Sequence, residues 1–149
     1  MTEFKTGLLL TLNGLIIFFM EMPLVSYVER NNISKVKVVA LGCFFMAVSL
    51  FLMLINTWAG ILIIMMLFMT FGEMFAFPFS NSVALSRAQK GHEGRYMAIY
   101  TMSFSLAHII GSKMGMEVVN LLGYQFNWVL MGSLGVLAAF TSLYILKKF

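Results

Sequence analysis

The sequence predicts an all-α integral membrane protein, five transmembrane helices packed as one bundle, and three observations predict it. Of its 149 residues, 60% are hydrophobic and 11% are charged, against about 45–50% and about 25% in soluble domains. A soluble domain of this length buries roughly 70% of the surface its chain exposes, which leaves no interior for so much apolar side chain. The apolar residues also fall into stretches about 20 residues long, the length that crosses a hydrocarbon core. A soluble enzyme, a disordered tail and a disulfide scaffold are excluded on the same grounds.

The first span covers about 7–28. Glu3 offsets Lys5, and the apolar run continues past Glu21 with no small-residue cleavage site, so it reads as a helix and not as a cleaved leader. The second span, about 36–55, has no ionisable group deep within it and holds the lone Cys43, which can form no internal bridge. The third, about 59–85, carries Glu73, and the fourth, about 96–119, carries His108. The fifth, about 126–146, is again free of ionisable groups at depth. Being apolar all round, the second and fifth read as outer, lipid-facing supports. The connectors 29–35, 56–58, 86–95 and 120–125 are too short for an extramembrane domain, so residues 1–149 form a single transmembrane bundle. Trp58 and Trp128 fall near one membrane interface, where amphipathic rings collect.

Net charge is +4, but the cations form no patch or stripe of the kind that binds nucleic acid. They are divided between the connectors. Arg30, Lys35, Lys37, Arg87, Lys90, Arg95, Lys147 and Lys148 lie on one side, against Lys5 and Lys113 on the other. Lysine and arginine are retained on the cytoplasmic side. The expected setting is therefore a cell inner (plasma) membrane, with the N-terminus outside and the C-terminus in the cytoplasm. An outside N-terminus without a leader suits a chain preceded by a further helix.

Three spans carry polar residues on one face. Thr70, Glu73, Phe77, Ser80 and Asn81 share a face of the third helix. Thr101, Ser105, His108 and Ser112 do so on the fourth, and Asn13, Ile17 and Glu21 on the first. Ionisable groups in hydrocarbon usually face a bundle interior or a wet cavity, because exposing them to lipid is costly. Small residues recur every fourth position in Gly72-Ala76-Ser80-Ala84 and Ser103-Ala107-Gly111-Gly115, a pattern that lets helices approach closely. Pro23 and Pro78, the two prolines, sit in polar helices, where each is either a fixed bend or a gating hinge.

Several of these residues resemble the major facilitator superfamily. The stretches are Gly72-Glu73-Met74-Phe75-Ala76-Phe77-Pro78 and Gly91-His92-Glu93-Gly94-Arg95-Tyr96-Met97-Ala98-Ile99-Tyr100. They are similar to the tenth helix, and the loop after it, of multidrug-efflux-type members. Leu12-Asn13-Gly14 through Met22-Pro23-Leu24 looks like that family's eighth helix, and Gly111-Ser112-Lys113-Met114-Gly115 like an element of its eleventh. The chain departs from the pattern at Ser112, where the family has Pro, and at Ala98, where it has Gly. The resemblance implies helices eight to twelve of a twelve-helix transporter, a partial C-terminal bundle. It implies secondary active, proton-coupled efflux of a small molecule. The partners it implies are that substrate, protons, the lipid bilayer, and a missing N-terminal half or another copy. The residues leave a second reading open: a standalone five-helix membrane protein with an oligomeric, structural or accessory role.

Glu73, His108 and Glu21 are the candidates for proton coupling, since each is a titratable group inside a span. Each has a bland alternative. Glu73 can be a neutral structural carboxyl, Glu21 can reach toward the interface, and His108 can serve as an interhelical donor. Asn13, Thr70, Phe77, Asn81 and Ser105 are candidates for lining a cavity. Glu29, Arg30, Arg87 and Arg95 are candidates for a cytoplasmic latch, which the resemblance suggests, or else serve orientation and headgroup contact. Lys113 and Glu117 read as a surface pair at i, i+4. The fourteen Met and fifteen Phe residues either pack and face lipid or line an adaptable hydrophobic cavity. His92-Glu93 lacks a second His at helical spacing, and no phosphate-cradling glycine loop or nucleophile elbow is present, so neither metal nor cofactor nor enzymatic activity is expected.

Overall fold

The structure, a computed structural model, describes residues 3–55 and 60–148, with side chains for 7–55 and 60–145. Its elements are α1 (Glu3–Arg30), α2 (Lys35–Leu52), α3 (Gly60–Ser86) and α4 (Glu93–Lys148). Each is long and apolar enough to cross a membrane. Trp58 lies outside the described residues.

The expected fourth and fifth spans form the single element α4, which is broken at Gly123 (φ 85°, ψ 170°). A glycine adopts this left-handed backbone without the Cβ clash other residues meet. The expected connector 120–125 thus contracts to a reversal centred on one residue. The two legs, 93–122 and 124–148, then run back along each other. Gly115 faces Met131 and Asn127 across the hairpin, at 3.6 and 3.7 Å from where a Cβ would sit.

The turn between α1 and α2 is set by local chemistry. Asn32 takes a positive φ of 50°. The amide of Ile33 donates to the Val28 carbonyl at 3.1 Å, and that of Asn32 to the Glu29 carbonyl at 3.2 Å. This double closure is a Schellman ending with asparagine in the position usually held by glycine. Val28 is thereby buried against Val38 of α2 and Phe79 of α3, with Val25, Val39 and Phe75 around them. These residues join three helices at one end of the bundle.

Elsewhere the packing centres on α2, which lies between α3 and the second leg of α4. Toward α3, a Cβ on Gly42 would lie 2.6 Å from the backbone nitrogen of Ala76, and one on Gly72 would lie 3.0 Å from the Gly42 carbonyl oxygen. Ser49 of α2, fully buried, donates to the Met65 carbonyl of α3 at 3.1 Å. Phe45 stacks on Phe75 at 5.8 Å and meets Phe68 edge-on at 5.6 Å. Toward α4, Gly135 abuts Ala47 and Gly132 abuts the Phe51 ring.

The reading of α2 as an outer support is therefore corrected for this bundle. Its buried residues are Val38, Ala40, Gly42, Ala47 and Ser49, and only part of its surface, including Leu41 and Phe44, is exposed. Hydropathy is uniform around α2, but side-chain size is not, and in lipid the small residues direct the packing. The stripe Gly72-Ala76 is buried against α2 as expected, whereas Ser103 and Ala107 of the second stripe are exposed.

Candidate functional site

α1 packs only lightly on α3, and three polar side chains come together at this contact. The Thr70 hydroxyl lies 2.5 Å from Asn13 Oδ1 and 2.7 Å from the Met66 carbonyl oxygen. A hydroxyl carries one proton, so Thr70 shares it between these acceptors. Asn13 Oδ1 is thereby occupied, which leaves the amide nitrogen of the same side chain available to the neighbouring Glu73 carboxyl. Thr70 is fully buried, and Asn13 and Glu73 are half-buried. The periodicity of α3 explains the meeting, since Thr70 and Glu73 stand one turn apart on the face turned to α1.

Asn13 and Glu73 open onto a groove of about 430 Å³ between the two helices. Leu9 and Leu10 of α1 form one wall, and Leu62, Met65, Met66 and Met69 of α3 form the other. These residues were not singled out from the sequence, although a signal was present. Met66 and Met69 are the polar stripe of α3 continued one turn back, and Leu9 and Leu10 stand one turn before Asn13. Methionine's unbranched thioether lets such walls adjust to differently shaped occupants. A carboxyl beside a single amide group keeps acceptor capacity for a proton or for a ligand's donor group.

The other candidates lie apart from this cluster. Phe77 meets Phe104 edge-on at 5.7 Å, and Phe104 stacks on His108 at 6.5 Å, so both candidates belong to an aromatic ladder joining α3 to the first leg of α4. Ser80 and Tyr100 share a hydrogen bond of 2.8 Å across the same contact. Ser105 lines a separate groove on α4 with Met102 and Ile109, and Asn81 is exposed. Glu21 is half-buried on α1 and does not line the Glu73 groove.

Of the latch candidates, Glu29 and Arg30 stand at the end of α1, Arg87 just after α3, and Arg95 in the first turn of α4. Glu29 pairs with Lys35 at 3.4 Å, and Lys35 also donates to Ser82 of α3 at 2.6 Å. Lys35, which is not among the latch candidates, thus ties the α1–α2 turn to α3. Arg30 and Arg95 are exposed, and Arg87 lines a groove with Ser80 and Ser142. Lys113 and Glu117 form no ion pair among the described residues.

The sequence model of the family described as Major Facilitator Superfamily matches residues 1–148. No curated protein and no solved structure matches the chain.

Proposed function

Because the chain belongs to the major facilitator superfamily, we propose that it takes part in proton-coupled export of a small molecule, with Glu73 as the group that takes up and releases the proton. Members of this superfamily are membrane transporters of small molecules and not enzymes, and the chain is a multi-pass membrane protein of that kind. The observation that carries the finer reading is the Glu73 carboxyl, beside Asn13 and opening onto a methionine-walled groove inside the membrane span.

Intramembrane carboxyls typically mark substrate or proton pathways, since nothing else offsets the cost of keeping them in hydrocarbon. Asn13 orients the Glu73 carboxyl, and Thr70 orients Asn13, so the proton is exchanged at a fixed place. The groove wall accepts an apolar substrate body. Secondary transporters of this kind rock two bundles around a midplane site, so the partner in this reading is a second bundle, either an N-terminal transporter half or another copy. The charge distribution supports a plasma-membrane setting with the N-terminus outside and the C-terminus in the cytoplasm.

The test uses everted membrane vesicles from cells expressing the gene at its own locus, given an inside-acid gradient and a panel of lipophilic dyes. Dye accumulation above that of a deletion strain is expected. Glu73→Gln preserves size and an acceptor for Asn13 but cannot exchange a proton, so accumulation falls to the deletion level with membrane abundance unchanged. Undiminished accumulation by Glu73→Gln overturns the assignment.

A further inference from the structure

We propose that the groove between the first half of α2 and the second leg of α4 binds an anionic phospholipid, with its phosphate at Lys37 and an acyl chain along the groove floor. This groove of about 440 Å³ lies away from the Glu73 site and shares no lining residue with it. Its floor is made by two small, buried residues, Ala40 of α2 (5% exposed) and Ala139 of α4 (8% exposed). Its rims are large and open: Leu41 and Phe44 on α2, and Phe140 on α4, 66% exposed. Small residues below and bulky ones at the sides make a channel wide enough for one hydrocarbon chain. The rise from Lys37 to Phe44 is about 10 Å, against roughly 15 Å for the hydrocarbon of one leaflet.

The polar end of the channel is positively charged for two independent reasons. α2 begins Lys35-Val36-Lys37, has no acidic residue in its first turn, and its N-cap Ser34 makes no side-chain cap bond. A helix N-terminus already carries partial positive charge, so lysines there are unfavourably placed unless an anion joins them. Lys35 is engaged by Ser82 and Glu29. Lys37 lines the groove mouth, is exposed, and makes no hydrogen bond or ion pair among the described residues. A phosphodiester at this position meets both the ammonium and the helix terminus, while its acyl chain covers the apolar floor. A zwitterionic choline headgroup returns a positive charge to the same place and loses the advantage. Basic pockets between transmembrane helices at the cytoplasmic surface bind anionic headgroups in this manner.

The chain is isolated from its native membrane in whatever assembly it occupies. It is then equilibrated in detergent with equal amounts of phosphatidylglycerol and phosphatidylcholine, and native mass spectrometry counts the retained lipids. Phosphatidylglycerol is expected to be retained in preference. Lys37→Gln lowers the ratio of the two lipids about fivefold, whereas Lys90→Gln, in the loop after α3, leaves it unchanged. Ala139→Phe fills the floor and removes the retained lipid. Phe140→Ala, at the exposed rim, weakens retention without disturbing the floor. Equal retention of the two lipids by the unsubstituted chain overturns the proposal, as does a preference that survives Lys37→Gln. A chain dimer that phosphatidylglycerol fails to displace and Phe140→Ala dissolves assigns the groove to a second copy, and overturns it too.

Discussion

At the residue scale, Asn13 is the centre of the polar cluster, because it accepts from Thr70 and stands beside Glu73. Two substitutions separate those bonds. Thr70→Val keeps the shape of a fully buried side chain but leaves Asn13 Oδ1 without its donor. Hydrogen bonds between helices within membranes contribute about 0.6 kcal/mol on average and up to ~1.7. Unfolding titrations in mixed micelles should accordingly show Thr70→Val less stable by roughly that amount. Asn13→Ala removes the amide beside the carboxyl as well. It should reduce gradient-driven dye accumulation strongly, with abundance near normal. An Asn13→Ala variant that transports as well as the unsubstituted protein would detach Asn13 from the coupling step.

The cluster was partly legible in the sequence. Thr70 and Glu73 share a face by periodicity alone, and Asn13 sits on the polar stripe of its own helix. That Asn13 meets Thr70, and Glu21 meets neither, depends on how far α1 is displaced along α3. No periodicity within one helix encodes that offset. The same limit separated Phe77 from Glu73: the two share a broad helical face, yet one is turned to α4 and the other to α1.

At the scale of elements, glycines govern how closely helices approach, and two of them can be contrasted. At Gly42 a Cβ would lie 2.6 Å from backbone nitrogen and 2.8 Å from a carbonyl oxygen of α3, atoms that move only if the helices separate. Gly42→Ala is therefore expected to destabilise the bundle by about 1–3 kcal/mol, the usual cost of overpacking. At Gly111 nothing lies within 4 Å, and Gly111→Ala should be neutral or slightly stabilising, since alanine is the better helix former. Thermal unfolding of the two variants side by side checks the contrast, and equal melting would contradict it. Gly123→Ala should cost about 1–3 kcal/mol, because its φ 85°, ψ 170° backbone is essentially reserved for glycine, and should loosen the contact of Gly115 with Met131. Disulfide trapping of a Gly115→Cys, Met131→Cys pair reports that contact, its yield dropping when Gly123→Ala is added.

For the whole molecule, the division of charge argues an orientation that can be measured. In a Cys43→Ser background, Gln89→Cys in the loop between α3 and α4 should react with a membrane-impermeant maleimide only after the cells are opened. Gln125→Cys, beside the Gly123 reversal, should react in intact cells. The opposite pattern would invert the bundle and place the lipid groove mouth in the other leaflet.

Sequence by itself determined that the chain is helical and lives in a membrane, because composition and stretch length are properties of the residues summed one by one. It also determined the family resemblance and the polar faces of single helices, because these depend on spacing along one axis. The tertiary structure alone decided which faces meet. It put α2, apolar all round beyond its first turn, between two neighbours through Gly42, Ala47, Gly132 and Gly135. It brought Asn13 and Glu73 together, and it folded α4 back on itself at Gly123. The physical reason is common to all three. In lipid, apolar surface is not driven together by water, so contacts are selected by side-chain size and by hydrogen bonds across helices. Both exist only between elements, where relative offset and crossing are degrees of freedom that no single helix records.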